Sequence, residues 1–377
     1  MTLPALPAHS IHSAGMIRKE EATAESSQSF SLSQLLSTYN SPVDKTEITE
    51  EFWLWIEHVD CLLHTGCDNQ VRNRSPDFGS PLMTDSQAAA ENDVWTVHRI
   101  LQWTTQFLEN KGLESARLEA ELLLAHARHC QRIHLYTSMD VELSATERAS
   151  MRGFVKRRAT REPLAYITGT KEFFGREFSV GQGVLIPRPE TETLIDVCLD
   201  LLPKDQNATI AEVGFGSGCI SVTLAKQCPQ LQVIAGDIST DALKFAEQNA
   251  AKHDVQDRIQ WQLADGIAKL DLPTNQPIAG IVSNPPYIRN DELSELEPDV
   301  RLHEPETALT SGTDGLDLVR RLIPEATEVL QLGGWMVLEV DPAQCAEVET
   351  LFQQAGFSTA KTHQDLSGND RIVSAIL

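Results

Sequence analysis

Between Thr209 and Gln227 the chain passes from a short apolar run through three closely spaced glycines into a helical pattern, a succession that few folds accommodate. Thr209-Ile-Ala-Glu-Val213 reads as a buried strand. Gly214-Phe-Gly216-Ser-Gly218 then permits a tight turn and close approach of a ligand to the backbone, with helix N-terminal amides facing it. The helix expected from Cys219 to about Gln227 stops before Pro229, and Gln232-Val-Ile-Ala-Gly236 is the next strand, ending at Asp237. Further apolar runs follow at Ile259–Ala264 and Ile278–Ser283. From about Thr191 onward strands therefore alternate with amphipathic helices, which is the signature of an α/β domain built on a parallel, Rossmann-like sheet.

Three positions at the carboxyl ends of those strands carry chemistry. Asp237 lies about 20 residues beyond the last glycine, where an acid accepts both hydroxyls of a ribose. A dinucleotide fingerprint is the natural competitor, but it requires G-x-G-x-x-G and here the third glycine comes one residue early. The spacing Glu212-x-Gly214-x-Gly216-x-Gly218 is instead that of S-adenosylmethionine enzymes. Asp265, after the third strand, either accepts from an adenine amino group or caps the turn it opens. Asn284-Pro-Pro-Tyr287, after the fourth, can hold a planar –NH2 group: the Asn284 side-chain oxygen and the Pro285 carbonyl both accept, and the prolines remove competing backbone donors. Tyr287 can stack on that group or face a sulfonium cation. The bland alternative is a strand-ending turn. Taken alone, the tetrapeptide suits adenine, cytosine or glutamine equally. All these residues are expected together at the sheet's carboxyl edge, near the topological switch point.

The preceding chain has a different character. Residues 1–88 are rich in Ser, Thr, Gln and Asn and read as a low-complexity, largely disordered extension, with Met83 a candidate translation start. His58, Cys61, His64 and Cys67 recur at threes, but on a continuous helix the first and last stand about 13 Å apart along the axis, so no metal site is expected. Residues 89–162 are helical in pattern, with an apolar stripe through Leu118, Leu122, Leu123, Ala125 and His126 and a capping box at Ser144-Ala-Thr-Glu147. A small bundle of four or five helices fits, serving as scaffold or as a partner-recognition domain. Residues 163–190 mix aromatic and β-branched residues with glycine and suggest a β-hairpin linker. The methyltransferase-like domain is then 191–377.

Charge and cysteine usage narrow the partners. The chain carries 31 basic and 54 acidic side chains, a net −23, and a uniformly acidic field opposes phosphate backbones. No direct nucleic-acid partner is expected. Seven scattered cysteines, several inside apolar segments, fit reduced thiols. No apolar run reaches the roughly 18 residues of a membrane span, and a cytoplasmic monomer is expected.

From Trp95 to Leu377 the chain resembles the HemK/PrmC family of peptide chain release factor N5-glutamine methyltransferases. The most specific blocks are Arg161–Gly169 and Val184–Glu192, supported by Glu212–Gly218, Asn284–Tyr287, Glu304–Leu309 and Asp365–Arg371. The resemblance implies a seven-stranded methyltransferase domain preceded by a helical domain and a hairpin. It also implies methylation of the Gln amide in the Gly-Gly-Gln motif of class 1 release factors, with S-adenosylmethionine as methyl donor. Carried onto this sequence, Gly214, Phe215, Gly216, Ser217, Gly218 and Asp237, with Asp265 and Gly266 beside the adenine, would bind S-adenosylmethionine. Asn284, Pro285, Pro286 and Tyr287 would bind the Gln, with Asn284, Pro285 and Tyr287 acting on it. The sequence departs from the family in having Glu212 where Asp is usual, Gly266 where some members place an aromatic, and Val-Asp-Pro after Glu339, with Gln344 in the place of a family glutamine.

No strong base stands in the tetrapeptide, so catalysis by positioning is expected, with the proton leaving after the bond forms. An adenine-N6 or cytosine-N4 DNA methyltransferase is the rival of the same chemistry, but it needs a target-reading module and basic groove contacts. A glutamine methyltransferase acting on a ribosomal protein, and an inactive adaptor, are the remaining alternatives. The sequence leaves open which release factor is preferred and how the helical domain docks it.

Overall fold

The computed structural model describes residues 94–203, 207–273 and 278–377. The expected extension, the candidate start at Met83 and the His58–Cys67 spacing all lie outside the described residues. Helix α1 (Val97–Asn110) opens on Thr96, whose hydroxyl accepts from the Arg99 amide. Helices α2 (Ala116–Ala127), α3 (Arg132–Tyr136) and α4 (Ala145–Ala159) follow, α4 starting on the Ser144–Glu147 capping box read from the sequence. The short α5 (Leu164–Thr168) ends at Gly169, φ 76°, and its Ile167 is part of the core these helices share with Leu101, Leu123 and Leu124.

The buried face of α2 agrees with the expected stripe at Leu123 and Ala125 and departs from it at Leu118. Ala116, Ala120, Leu123, Leu124 and Ala127 are buried, while Leu118 is 42% exposed. A helix this rich in Leu and Ala supports more than one stripe, and the winning one puts small alanines inward, where a neighbouring helix can approach closely.

A two-stranded hairpin follows, β1 (Thr170–Phe173) and β2 (Arg176–Ser179), paired antiparallel. Its turn residues Phe174 and Gly175 both have positive φ, 49° and 68°, the conformation whose twist matches the flanking strands. Then come α6 (Thr191–Leu201), β3 (Ala208–Val213), α7 (Cys219–Gln227), β4 (Leu231–Asp237), α8 (Thr240–Lys252), β5 (Ile259–Leu263) and β6 (Ile278–Ser283). The chain closes with α9 (Pro298–Arg301), α10 (Asp317–Thr327), β7 (Leu330–Glu339), α11 (Cys345–Gln354), β8 (Thr359–Gln364) and β9 (Asp370–Ile376).

The sheet has seven strands in the order β5-β4-β3-β6-β7-β9-β8, parallel except for β9, which runs antiparallel to both neighbours. This is the expected α/β architecture. Period-two alternation splits β3, β4, β6, β7 and β9 between two cores. Ile210, Val282, Trp335 and Val337 face α6, α7 and α8, whereas Ala211, Val213, Ile281, Met336 and Leu338 face α10 and α11. Gly280 is required opposite Trp335, because a Cβ there would fall 2.2 Å from the indole. The strand order reverses between β3 and β6, so the chain ends leaving these two strands diverge and open a crevice at their carboxyl ends. Among the described residues no helix is long and apolar enough to cross a membrane.

Candidate active site

The loop after β3 is held open by three left-handed glycines, Gly214, Gly216 and Gly218, with φ of 77°, 51° and 78°. They serve different ends. A Cβ on Gly218 would meet Trp261 at 2.9 Å and the Ala246 backbone at 3.1 Å, so this glycine lets α7 start tight against its neighbours. A Cβ on Gly216 would meet nothing within 4 Å; that position faces open space. The Gly214 amide donates to the Gly236 carbonyl at 2.7 Å and the Gly216 amide to Asp237 Oδ2 at 2.9 Å, lashing the loop to the end of β4. Asp237 Oδ1 accepts from the Ser239 amide at 2.9 Å, and burial raises the pKa of its carboxyl. Its remaining lone pairs are available to hydroxyl donors.

Underneath lies Glu212, fully buried. Its Oε2 accepts from the Ser221 amide at 3.1 Å and from the Ser221 hydroxyl, while Oε1 has no partner. Burial pushes this carboxyl up to about 8, with Asp237 adding to the rise. The longer side chain in place of Asp thus reaches into α7. A second clamp is Asn249 of α8, buried, whose Oδ1 accepts from Ser179 N at 2.7 Å and whose Nδ2 donates to the carbonyls of Ser179 and Ser217, both at 2.9 Å. One side chain therefore joins hairpin, loop and α8.

The tetrapeptide leaves β6 beside this loop. Ser283 Oγ donates to the Val213 carbonyl at 2.7 Å, pinning the two strand ends together. Asn284 Nδ2 donates to Thr191 Oγ1 at 3.1 Å, which leaves Oδ1 as the acceptor of the carboxamide. The Tyr287 carbonyl accepts from Gln344 Nε2 at 2.9 Å, and the same nitrogen holds the Asp314 carbonyl at 2.9 Å. Gly315, φ 77°, packs so closely here that a Cβ would fall 2.0 Å from the Tyr287 carbonyl. The Tyr287 hydroxyl makes a long contact, 3.5 Å, to Glu339 Oε1, the ring lies under the Arg371 guanidinium at 6.0 Å, and burial raises the phenol pKa.

Gly214, Gly216, Asp237, Asp265, Gly266, Asn284 and Pro286 line one cleft of about 750 Å³, its open mouth included. Its far wall comes from Gly183–Leu185 of the linker and Pro305, Thr307 and Ala308. Glu304 fixes that wall: Oε2 accepts from the Ile186 amide at 3.0 Å and Oε1 from Arg188 at 2.6 Å. The structure does not bring every expected residue to the lining. Phe215 is buried and packs edge-on against Trp261 at 4.9 Å, and Ser217 is buried with its carbonyl on Asn249. Gly218 faces α8, and neither Pro285 nor Tyr287 is part of the lining. Asp265 is exposed and ion-paired with Arg321, which holds its carboxyl below the usual range; Arg321 lines the cleft as well. A Cβ on Gly266 would press on Glu325, whose Oε2 accepts from the amides of Ile267 and Ala268 at 2.8 and 3.1 Å.

Sequence reading did not single out Thr191, Asn249, Arg321 or the role of Glu339. Only Glu339 left a signal: an acid that continues the buried face set by Trp335 and Val337. It is 1% exposed, its Oε2 has no partner, and burial pushes its carboxyl up to about 7.

Comparison with known proteins gives two family models, the PrmC N-terminal domain over residues 99–169 and the methyltransferase small domain over residues 193–314. The chain is 42% identical over 284 residues to the release factor glutamine methyltransferase of Geobacter sulfurreducens, covering 74% of this chain and 96% of that protein. It is 41% identical over 296 residues to the protein of the same name from Rhodopirellula baltica, covering 76% and 98%. A bifunctional methyltransferase of Rickettsia typhi is 36% identical over 297 residues, which is 74% of this chain but 57% of that longer protein.

Proposed function

The chain belongs to the family of release factor glutamine methyltransferases, and we propose that it transfers a methyl group from S-adenosylmethionine to the side-chain amide nitrogen of the Gln in the Gly-Gly-Gln motif of class 1 peptide chain release factors. The observation that carries this reading is the anchored carboxamide of Asn284: with Nδ2 held by Thr191, Oδ1 is the acceptor in a cleft that also contains Gly214, Gly216 and Asp237.

The residues present fit the methyl donor. Gly214 and Gly216 line the cleft, Gly216 leaves room where a side chain would intrude, and Asp237 offers a partly buried carboxylate to hydroxyl groups. Gly214, Gly216 and Asp237 would hold S-adenosylmethionine, with Asp265 and Gly266 at the same cleft's edge. Bound there, it supplies an electrophilic methyl group on a cationic sulfur.

An amide nitrogen is a weak nucleophile because its lone pair is delocalised into the carbonyl. Asn284 Oδ1, in the cleft, would accept one of its N–H bonds, and the Pro285 carbonyl, outside the lining of the cofactor cleft, would accept the other from the substrate's side, so fixing the direction of the nitrogen. Gln344 and Gly315 keep the backbone of the tetrapeptide from swinging. Orientation of this kind is worth up to about 7–11 kcal/mol in well-aligned systems. The extra proton leaves the nitrogen once it has become positively charged and acidic, so no base of high strength is needed. The helical domain, 94–162 among the described residues, serves to recognise the protein substrate.

The test is transfer of labelled methyl from S-adenosylmethionine to a purified release factor, wild type against a variant with Ala in place of the motif Gln. Label on the wild type alone is expected. Equal label on both sinks the assignment of the acceptor, and label transferred to DNA instead points to the exocyclic-amine reading.

A further inference from the structure

Past Asp237 the cleft continues between Ile238, Ala264, Asp265, Gly266, Leu318 and Arg321. With Asp237 taking ribose hydroxyls, the base of a bound methyl donor would lie against these residues. Ile238 is 60% exposed, a large apolar side chain left bare at the cleft's edge, and a flat base would cover it. Gly266 has no side chain to add. Its φ is 83°, and a Cβ there would lie 2.9 Å from Glu325 Oε2, 3.3 Å from Arg321 Nη2 and 3.5 Å from Arg321 Cζ. The guanidinium of Arg321 therefore fills the space next to which a side chain at 266 would stand.

Leu318 and Arg321 are a helical turn apart on α10, so both reach the cleft from one face of that helix. The guanidinium is held in its plane: Nη1 donates to Asp265 Oδ2 at 3.2 Å, Nη2 donates to Asp265 Oδ1, and Nε lies 4.0 Å from Glu325 Oε1. Glu325 is tied in turn to the amides of Ile267 and Ala268. An ion pair with side chains 42% and 63% exposed adds little to stability, so folding alone does not account for this arrangement. A fixed guanidinium plane does suit a ring, because its face stacks on aromatic systems. Pairing with Asp265 also offsets its charge, so that it does not repel a cationic donor.

We propose that Arg321 is a cofactor-binding residue whose guanidinium face packs on the base of the methyl donor, with Asp265 holding the plane. The inference deepens the functional reading above and rests on S-adenosylmethionine being the cofactor.

The experiment measures binding of S-adenosylhomocysteine, and of its inosine analogue without the amino group, by calorimetry on full-length wild type, Arg321→Ala and Arg321→Lys. Unliganded melting temperatures are recorded alongside, and no methyl acceptor is needed. Arg321→Ala is expected to weaken both ligands alike, by about fivefold to thirtyfold, the scale of a desolvated contact between cation and ring. Arg321→Lys keeps the charge but not the plane, and should weaken both by at least about threefold. Melting temperature should stay within about 2 °C of wild type, since the pair is exposed. Wild-type affinity in either variant overturns the proposal. So does a loss confined to S-adenosylhomocysteine, which would mean that Arg321 only aims Asp265 at the amino group, or a fall in melting temperature that accompanies the lost affinity. A wild type that binds neither ligand removes the cofactor assignment itself, and the proposal with it.

Discussion

Asn284 is held at both ends of its short side chain's reach, by Thr191 through Nδ2 and by the β6–β3 junction through its backbone neighbour Ser283. Asn284→Ala removes the acceptor and nothing that the core depends on, so methylation is expected to fall by more than about tenfold while melting temperature and cofactor binding hold; activity within that limit counts against the assignment. Glu212 lends itself to a different measurement. Burial raises its carboxyl from 4.5 to about 8, and the neighbouring charge of Asp237 adds to the rise. Between those pH values the folded chain keeps a proton that the unfolded chain has lost, so this group's contribution to stability falls as pH rises through the window. Glu212→Gln, which still accepts from Ser221, is expected to gain melting temperature relative to wild type on going from about pH 5 to pH 8; an unchanged difference argues that the acid is ionised throughout. Asn284 was legible because two prolines and a tyrosine flank it. Thr191 was not, because its partner lies 93 residues away and a lone Thr at a helix start looks the same with or without one.

At the scale of elements, the Gly214–Gly218 loop separates two jobs that its spacing alone does not distinguish. Gly218→Ala would force a Cβ into Trp261 and the Ala246 backbone at a left-handed position, a loss of about 2–4 kcal/mol of stability in denaturant unfolding. Gly216→Ala meets no neighbour and should cost about 1 kcal/mol, but it points a methyl group at open cleft, so cofactor affinity should suffer more than stability. Reversed magnitudes would mean the ligand lies elsewhere. The strand–loop–helix unit was readable because a β-branched apolar run, three glycines and a proline mark its borders, and α7 occupies the expected Cys219–Gln227. The buried face of α2 was readable only in part, since alanine and leucine alternate there in a way that fits two stripes, and the choice between them is made by neighbouring helices.

Across the whole molecule, the helical domain and the sheet domain are joined through a few buried charges. Arg158 of α4, 4% exposed, pairs with Glu119 at 2.6 Å and with Asp299 of α9 at 2.7 Å, and Asp299 also lies 3.7 Å from Arg161. Arg158→Ala strands two partly buried acids and is expected to cost about 3–5 kcal/mol in unfolding experiments, far more than an exposed pair such as Lys244–Asp241. The sheet order was foreseeable in outline, because apolar runs and glycine turns repeat along the chain. The tethering of α9 and Glu304 to the earlier domain and linker was not, because it joins segments more than a hundred residues apart through polar side chains without periodicity. The reversal of strand order between β3 and β6 has a consequence in time. During synthesis the glycine loop and Asp237 emerge with their own strands, but β3 keeps an unpaired edge until β6 arrives, and Glu339 comes only with the end of β7. Pairings this distant in sequence form slowly and leave apolar edges bare meanwhile. A chain cut short before Leu330 would thus contain the loop and the tetrapeptide yet offer them no closed sheet, so the cleft is among the last parts of the protein to come into being.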